Sequence, residues 1–182
     1  MKRVLFSGVH GVGKSFFLKK ISQRIEGYDI YSASALIEKY HASTDAGYKR
    51  VKNVDENQDI LVRAIKETQL KNKNNFILDG HLCIWNSEGN TVRIPEKFFI
   101  EVQIDGIILL QEIPNVIFDR IKERDACEIN IESIEFMQKE EEKYALELSE
   151  KLKIPYMIIT HGCTEKEFIY KLQQLGGKNI GC

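Results

Sequence analysis

The chain has 182 residues, 43% of them hydrophobic and 29% charged, with 26 Lys and Arg against 27 Asp and Glu for a formal net charge of −1. That length and balance suit a single domain over residues 1–182 with a sizeable core, and the interspersed charges leave no basic face for nucleic acid and no polybasic membrane patch. No apolar run approaches the roughly 20 residues of a membrane helix. The opening residues Met1–Ser7 run straight into glycines and not into a signal-type apolar segment, so a cytoplasmic protein is expected.

The first element is Arg3-Val4-Leu5-Phe6, a short apolar run that reads as a buried strand. Gly8-Val9-His10-Gly11-Val12-Gly13-Lys14-Ser15 follows and fits G-x-x-x-x-G-K-[ST] in full. With ordinary residue usage such a match arises by chance about once in thirty thousand positions. The residues from Lys14 to about Ile25 carry a helical pattern. Strand, loop and helix in that order make a phosphate-binding loop: main-chain N–H groups curl inward and the helix N-terminus adds partial positive charge. Gly8, His10, Gly11, Val12, Gly13, Lys14, Ser15 and Phe16 are therefore expected around the phosphates of a nucleoside triphosphate. Lys14 would reach the β- and γ-phosphates, the Ser15 hydroxyl would ligate Mg²⁺, and His10 would contribute backbone only.

Downstream, a short strand is expected near Tyr28–Tyr31 and a capped helix over Ser34–Tyr40. Ser43–Asn57 reads as polar and irregular, and a long amphipathic helix as spanning about Glu56–Leu70. Phe76-Ile77-Leu78-Asp79 is the next buried strand, ending at Asp79-Gly80. Ligands of α/β sheets gather at the carboxyl ends of strands, so Asp79 is placed to hold the Mg²⁺ shell with Ser15. Glu112, just past the following strand, and Asp105, just before it, are the other acids considered. The residues 81–95 read as short extended pieces about a turn at Ser87–Asn90, with His81 available to an acceptor and Trp85 available for packing, base stacking or homo-oligomerisation.

Ile107–Gln111 is a further buried strand, followed by helices near Asn115–Glu123 and Ile131–Leu152. The second of these has its apolar stripe at Ile134, Met137, Tyr144, Ala145, Leu148 and Leu152. Tyr156–Thr160 is the last strand, and Thr164–Leu175 a closing helix. Alternation of this kind predicts an α/β fold with about five parallel strands. Arg120 and Arg124 lie four residues apart and share a helix face, able to neutralise charge on a transferring phosphoryl group beside a short lid at about 124–130. Lys49, Arg50, Lys52 and Arg63 fall between the second and third strands and on the long helix, which in a P-loop kinase fold is where a phosphate-bearing acceptor is held, here an acceptor region of about 32–72 and 81–95. The four cysteines, Cys83, Cys127, Cys163 and Cys182, lie far apart with no C-x-x-C pair, which predicts free thiols, and Cys83 has no visible activating base.

The loop, the Asp79-Gly80 strand end and the paired arginines together resemble the P-loop nucleoside monophosphate kinases, and in particular the archaeal-type adenylate kinases and their relatives. The likeness runs over about residues 3–160 and includes Val54-Asp55-Glu56-Asn57-Gln58, Leu78-Asp79-Gly80-His81 and Asp105–Leu110. It departs from common adenylate kinases at His81-Leu82-Cys83, where they carry a Pro-Arg pair after the acid-Gly, and in having a short lid. The resemblance implies a three-layer kinase fold with strand order 2-3-1-4-5, and Mg·ATP as the phosphoryl donor. The acceptor it implies is a small nucleotide, AMP or a deoxynucleotide. Lys14, Arg120, Arg124 and Asp79 would act on the transferring group, and Arg50, Arg63 and His81 on the acceptor. Two other readings fit the same loop: a kinase of a nucleoside or other small metabolite, and an ATPase or nucleotide-dependent switch working with a protein partner.

Overall fold

In a computed structural model, residues 1–43, 54–71, 74–86, 89–124 and 129–175 are described. The chain begins with strand β1 (Arg3–Ser7), whose Val4, Leu5 and Phe6 are at most 1% exposed. Helix α1 (Lys14–Ile21) follows, then a single 3₁₀ turn at Ser22–Arg24, so the helix predicted to about Ile25 stops a turn early. Strand β2 (Tyr28–Ser32), helix α2 (Ala33–Ser43) and helix α3 (Val54–Lys71) come next. Both helices are longer than the sequence pattern suggests, and residues 54 and 55, expected to be irregular, are helical. Polar residues in the first turns of an amphipathic helix do not register as periodic, which hides its true start. Residues 44–53 lie outside those described.

Strand β3 (Asn75–Asp79) leads into a hairpin of β4 (Cys83–Trp85) and β5 (Thr91–Arg93). Helix α4 (Glu96–Val102) was not anticipated; it is short, and it buries Phe98, Phe99 and Val102. Strand β6 (Gly106–Gln111), helix α5 (Pro114–Arg124) and helix α6 (Ile131–Leu152) then follow in turn. Asn130 caps α6 by accepting from the Ser133 amide at 2.8 Å. Strand β7 (Tyr156–Thr160) and helix α7 (Glu165–Gln174) are the last elements among the described residues, the latter opened by a capping box between Thr164 and Glu167.

The five long strands form one parallel sheet in the order β2-β3-β1-β6-β7, with β4 and β5 paired separately as an antiparallel hairpin. Counted along the large sheet alone, this is the predicted 2-3-1-4-5 order of a three-layer P-loop kinase fold. Because β1 is central, the chain winds outward to one edge through β3 and β2 and to the other through β6 and β7. Right-handed crossovers then place helices on both faces, and a crevice opens at the carboxyl end of β1 where the winding reverses. Phe6, Phe17 and Phe168 pack as a ring cluster under that crevice, Phe6 stacked on Phe17 at 5.6 Å and Phe168 edge-on to both. Among the described residues, no helix is long and apolar enough to cross a membrane.

Candidate functional site: the phosphate loop and its surroundings

The turn from β1 into α1 is shaped by glycines. Gly13 precedes the helix in a left-handed conformation, φ 98°, with no side-chain cap, and Gly11 adopts φ 80°. A Cβ on Gly11 would stand 2.5 Å from Ile121, and one on Gly13 would stand 2.8 Å from the His161 ring. Only glycine meets both demands at once, positive φ and close approach. The first N–H groups of α1 have no partner within the helix and open toward the crevice.

Lys14 is 7% exposed, and its ammonium donates to the Gly8 carbonyl at 2.7 Å, curling back across the loop. Its Nζ also lies 3.4 Å from both ring nitrogens of His81. Burial lowers the Lys14 pKa, while the charges of Glu141 and Asp79 act to raise it. His81 is pushed well below its ordinary value by burial and then by Lys14, so its imidazole is neutral at physiological pH. The Ser15 hydroxyl donates to Asp79 Oδ2 at 2.8 Å, which joins the start of α1 to the end of β3.

Arg120 reaches from α5 to the loop. Its Nη1 donates to the Val12 carbonyl at 2.9 Å and its Nη2 to Glu112 Oε2 at 3.3 Å. Arg124, the last residue of α5, contacts Nε2 of His10, so the His10 side chain joins the loop to the end of that helix. His161 donates from its ring to the Val12 carbonyl and lies edge-on to Phe17. The result is a cavity of about 450 Å³. On the loop side stand His10, Gly11, Gly13, Lys14, Ser15 and Phe16, with Arg120 and Arg124 beside them. Ser32, Ala33, Ser34, Asp79 and His81 form the opposite wall. A second, apolar cavity of about 170 Å³ adjoins it, sharing Ala33, Ser34 and His81 and running beneath Ile37, Leu61 and Phe98.

Most of the residues singled out in the sequence converge here. Gly8 and Val12 shape the loop from beneath, Val12 being fully buried. Arg63 is exposed on α3 and does not line the cavity, because the buried stripe of that helix runs through Leu61, Val62, Ala64 and Ile65. Arg50, Lys49 and Lys52 lie outside the described residues, as do residues 125–128 of the expected lid. Asp105 accepts from the Arg3 amide at 2.8 Å at the far end of the sheet, a structural contact. Trp85 is half-buried on β4 and packs against the core. Cys83 and Cys163 are free thiols, with Cys127 and Cys182 outside the described residues.

Two residues escaped the sequence reading. His161 follows β7 directly, the same strand-end position that drew attention to Asp79. Glu141 falls on the apolar stripe of α6 between Met137 and Tyr144, and a carboxylate in such a stripe is the signal that could have found it.

The donor set suits a magnesium–triphosphate ligand. Ser15 Oγ and Asp79 Oδ2 are adjacent hard oxygens, and Mg²⁺ is commonly held by one or two such groups with phosphates supplying the rest. Among the described residues, no cluster of three or more His, Cys, Asp or Glu forms a metal centre by itself.

No curated protein sequence matches the chain. Among solved structures, the tunicamycin resistance protein of Deinococcus radiodurans superposes with a TM-score of 0.64 over 97% of this chain and 96% of that one, at 11% identity, so the two share a fold. The family model of the AAA domain matches residues 7–135, more than half of the chain and all of the loop from Ser7 onward, and the chain belongs to the AAA domain family.

Proposed function

We propose that this protein transfers a phosphoryl group from Mg·ATP to a small acceptor, with a nucleoside monophosphate as the first candidate, in the manner of the adenylate kinase-like enzymes. The observation that carries the reading is the two-sided cavity. A complete phosphate loop shares the cavity with Ser32, Ser34 and His81, and Arg120 and Arg124 line it beside the loop. A site built only to hydrolyse a nucleotide does not require a second wall of that kind.

The chemistry asked of the protein is alignment and charge neutralisation. Mg²⁺, when bound, neutralises charge on the donor phosphates. Lys14 and the loop amides would hold those phosphates, and Ser15 and Asp79, already paired at 2.8 Å, would hold the metal. Arg120, braced by Glu112 and Val12, presents its remaining N–H groups to charge that develops on the transferring group. Arg124 stands beside it on the same side of the cavity. Neutral His81 can accept or donate one hydrogen bond without adding charge. The whole of residues 1–182 is taken as one working unit in the cytoplasm, with acceptor contacts drawn from 32–72 and 81–95.

A second reading, a kinase acting on the hydroxyl of a nucleoside or other small metabolite, is favoured by the character of the acceptor wall. Two serines and an imidazole suit a neutral hydroxyl as well as they suit a phosphate. The deciding experiment measures ADP formation with Mg·ATP across a panel of nucleoside monophosphates and nucleosides. Stimulation by a monophosphate supports the first reading, and stimulation by nucleosides alone supports the second. A rate indifferent to every acceptor would overturn both in favour of an ATPase.

A further inference from the structure

Glu141 is a fully buried carboxylate in the middle of α6, and its three buried partners belong to two separate stretches of chain, one just before the phosphate loop and one just after His81. Oε2 accepts from the Ser7 hydroxyl at 2.9 Å, at the last residue of β1 before the phosphate loop. Oε1 accepts from the main-chain amides of Leu82 at 3.0 Å and Cys83 at 3.1 Å, immediately after His81. Three donors converge on one group, the arrangement an ionised carboxylate favours. Burial pushes the Glu141 pKa up, and the Lys14 charge followed by these three donors opposes that rise.

Its neighbours on α6 grip the same stretch of chain. Arg93 on β5 pairs with Glu140 at 3.2 Å and Glu147 at 2.5 Å, and its guanidinium lies 4.7 Å above the Tyr144 ring. The Tyr144 hydroxyl donates to the Ile94 carbonyl at 2.7 Å, and the Ile94 amide donates to Leu82 at 2.8 Å. Those contacts fasten the hairpin to the helix. Glu141 alone among them also reaches β1 and lies within electrostatic range of Lys14.

For stability, a well-packed apolar side chain would serve this stripe at least as well, since burying a carboxylate is costly even when it is paired. The position of the carboxylate suits a different task. We propose that Glu141 is a positioning residue for phosphoryl transfer: through Leu82 and Cys83 it holds His81 against Lys14, and through Ser7 it ties that acceptor wall to the strand feeding the phosphate loop. This rests on the reading of His81 as part of the acceptor wall.

The test compares Glu141→Gln and Glu141→Leu with the unaltered protein. Gln can keep its carbonyl on the two amides and turn its NH₂ toward Ser7, whereas Leu keeps volume and loses every bond. Three quantities are read: the His81 imidazole resonances in histidine-labelled protein, assigned by their loss in His81→Gln; Mg·ATP affinity by calorimetry; and kcat and KM for the best acceptor. The expected result for Glu141→Leu is displaced His81 resonances, nucleotide affinity within about twofold, and kcat lower by about tenfold or more. Glu141→Gln is expected to restore the resonances and bring kcat to within about fivefold of the original. Unmoved His81 resonances in a folded Glu141→Leu protein would overturn the proposal. So would loss of nucleotide affinity matching the loss of kcat, or a Glu141→Gln protein no better than Glu141→Leu. If Glu141→Leu does not fold, Ser7→Ala takes its place: it cuts the tie to β1 alone, and kcat should fall with acceptor KM unchanged, equal kcat counting against the proposal. Should no acceptor stimulate turnover, the proposed function fails, and the His81 resonances still decide whether Glu141 places that ring.

Discussion

Arg120 and Glu112 form a bridge at 3.3 Å across the first two turns of α5, and the same guanidinium reaches the Val12 carbonyl at 2.9 Å. The arginine is thereby held at a set height above the loop. Its fork is what permits this, since one planar group serves a carboxylate and a carbonyl and still has N–H donors to spare.

Arg120→Lys keeps the charge and loses the fork. The expected outcome is a fall in kcat of about tenfold or more with little change in melting temperature. Glu112→Gln, which leaves Arg120 present and less firmly held, should fall less. Steady-state kinetics alongside a thermal melt checks the pair, and an Arg120→Lys protein with the original kcat would remove Arg120 from the chemistry.

Lys14 is buried and curls back across the loop to donate to the Gly8 carbonyl at 2.7 Å. Lys14→Ala should reduce ADP formation by about a hundredfold or more, as loss of a central phosphate-binding charge does. The circular dichroism spectrum should be unchanged. Undiminished ADP release would place the chemistry elsewhere.

Gly13→Ala combines two costs: a non-glycine residue at φ 98° and a methyl group 2.8 Å from the His161 ring. Lower stability by about 1–2 kcal/mol and weaker nucleotide binding are expected. Adding His161→Ala relieves the contact but not the backbone conformation, so recovery should be partial. Denaturant melts of the single and double variants separate the two parts.

The capping box at α7 carries a pH dependence. Glu167 is held below the ordinary carboxylate range first by the Thr164 amide, which donates to it at 2.7 Å, and then by the Thr164 hydroxyl. A carboxyl with a depressed folded-state pKa stabilises the fold above its unfolded value, and that contribution disappears as pH falls through the lower folded value. Glu167→Gln should therefore melt lower than the original at pH 7, and the two melting temperatures should converge below about pH 4. A gap that stays constant into acid would contradict the assignment.

Chain order and local pattern determined a good deal. Gly8–Ser15 declares a phosphate loop because a nest of amides requires glycines at set offsets and a lysine near its end. The alternation of apolar runs with helical periods determined a parallel sheet, and residues 131–152 and 156–160 were bounded to the residue, since a capped amphipathic helix and an apolar strand after Pro155 have sharp local signatures. Tertiary structure decided the rest, because distance in sequence conceals nearness in space. Only folding brings Glu141 to Ser7 and Leu82, His161 to Val12, and Glu112 to an arginine that a helical pattern alone would leave facing solvent. It also turned Arg63 away from the cavity, since the side of α3 that meets the core is chosen by its apolar stripe, and a charge on the opposite side is carried outward.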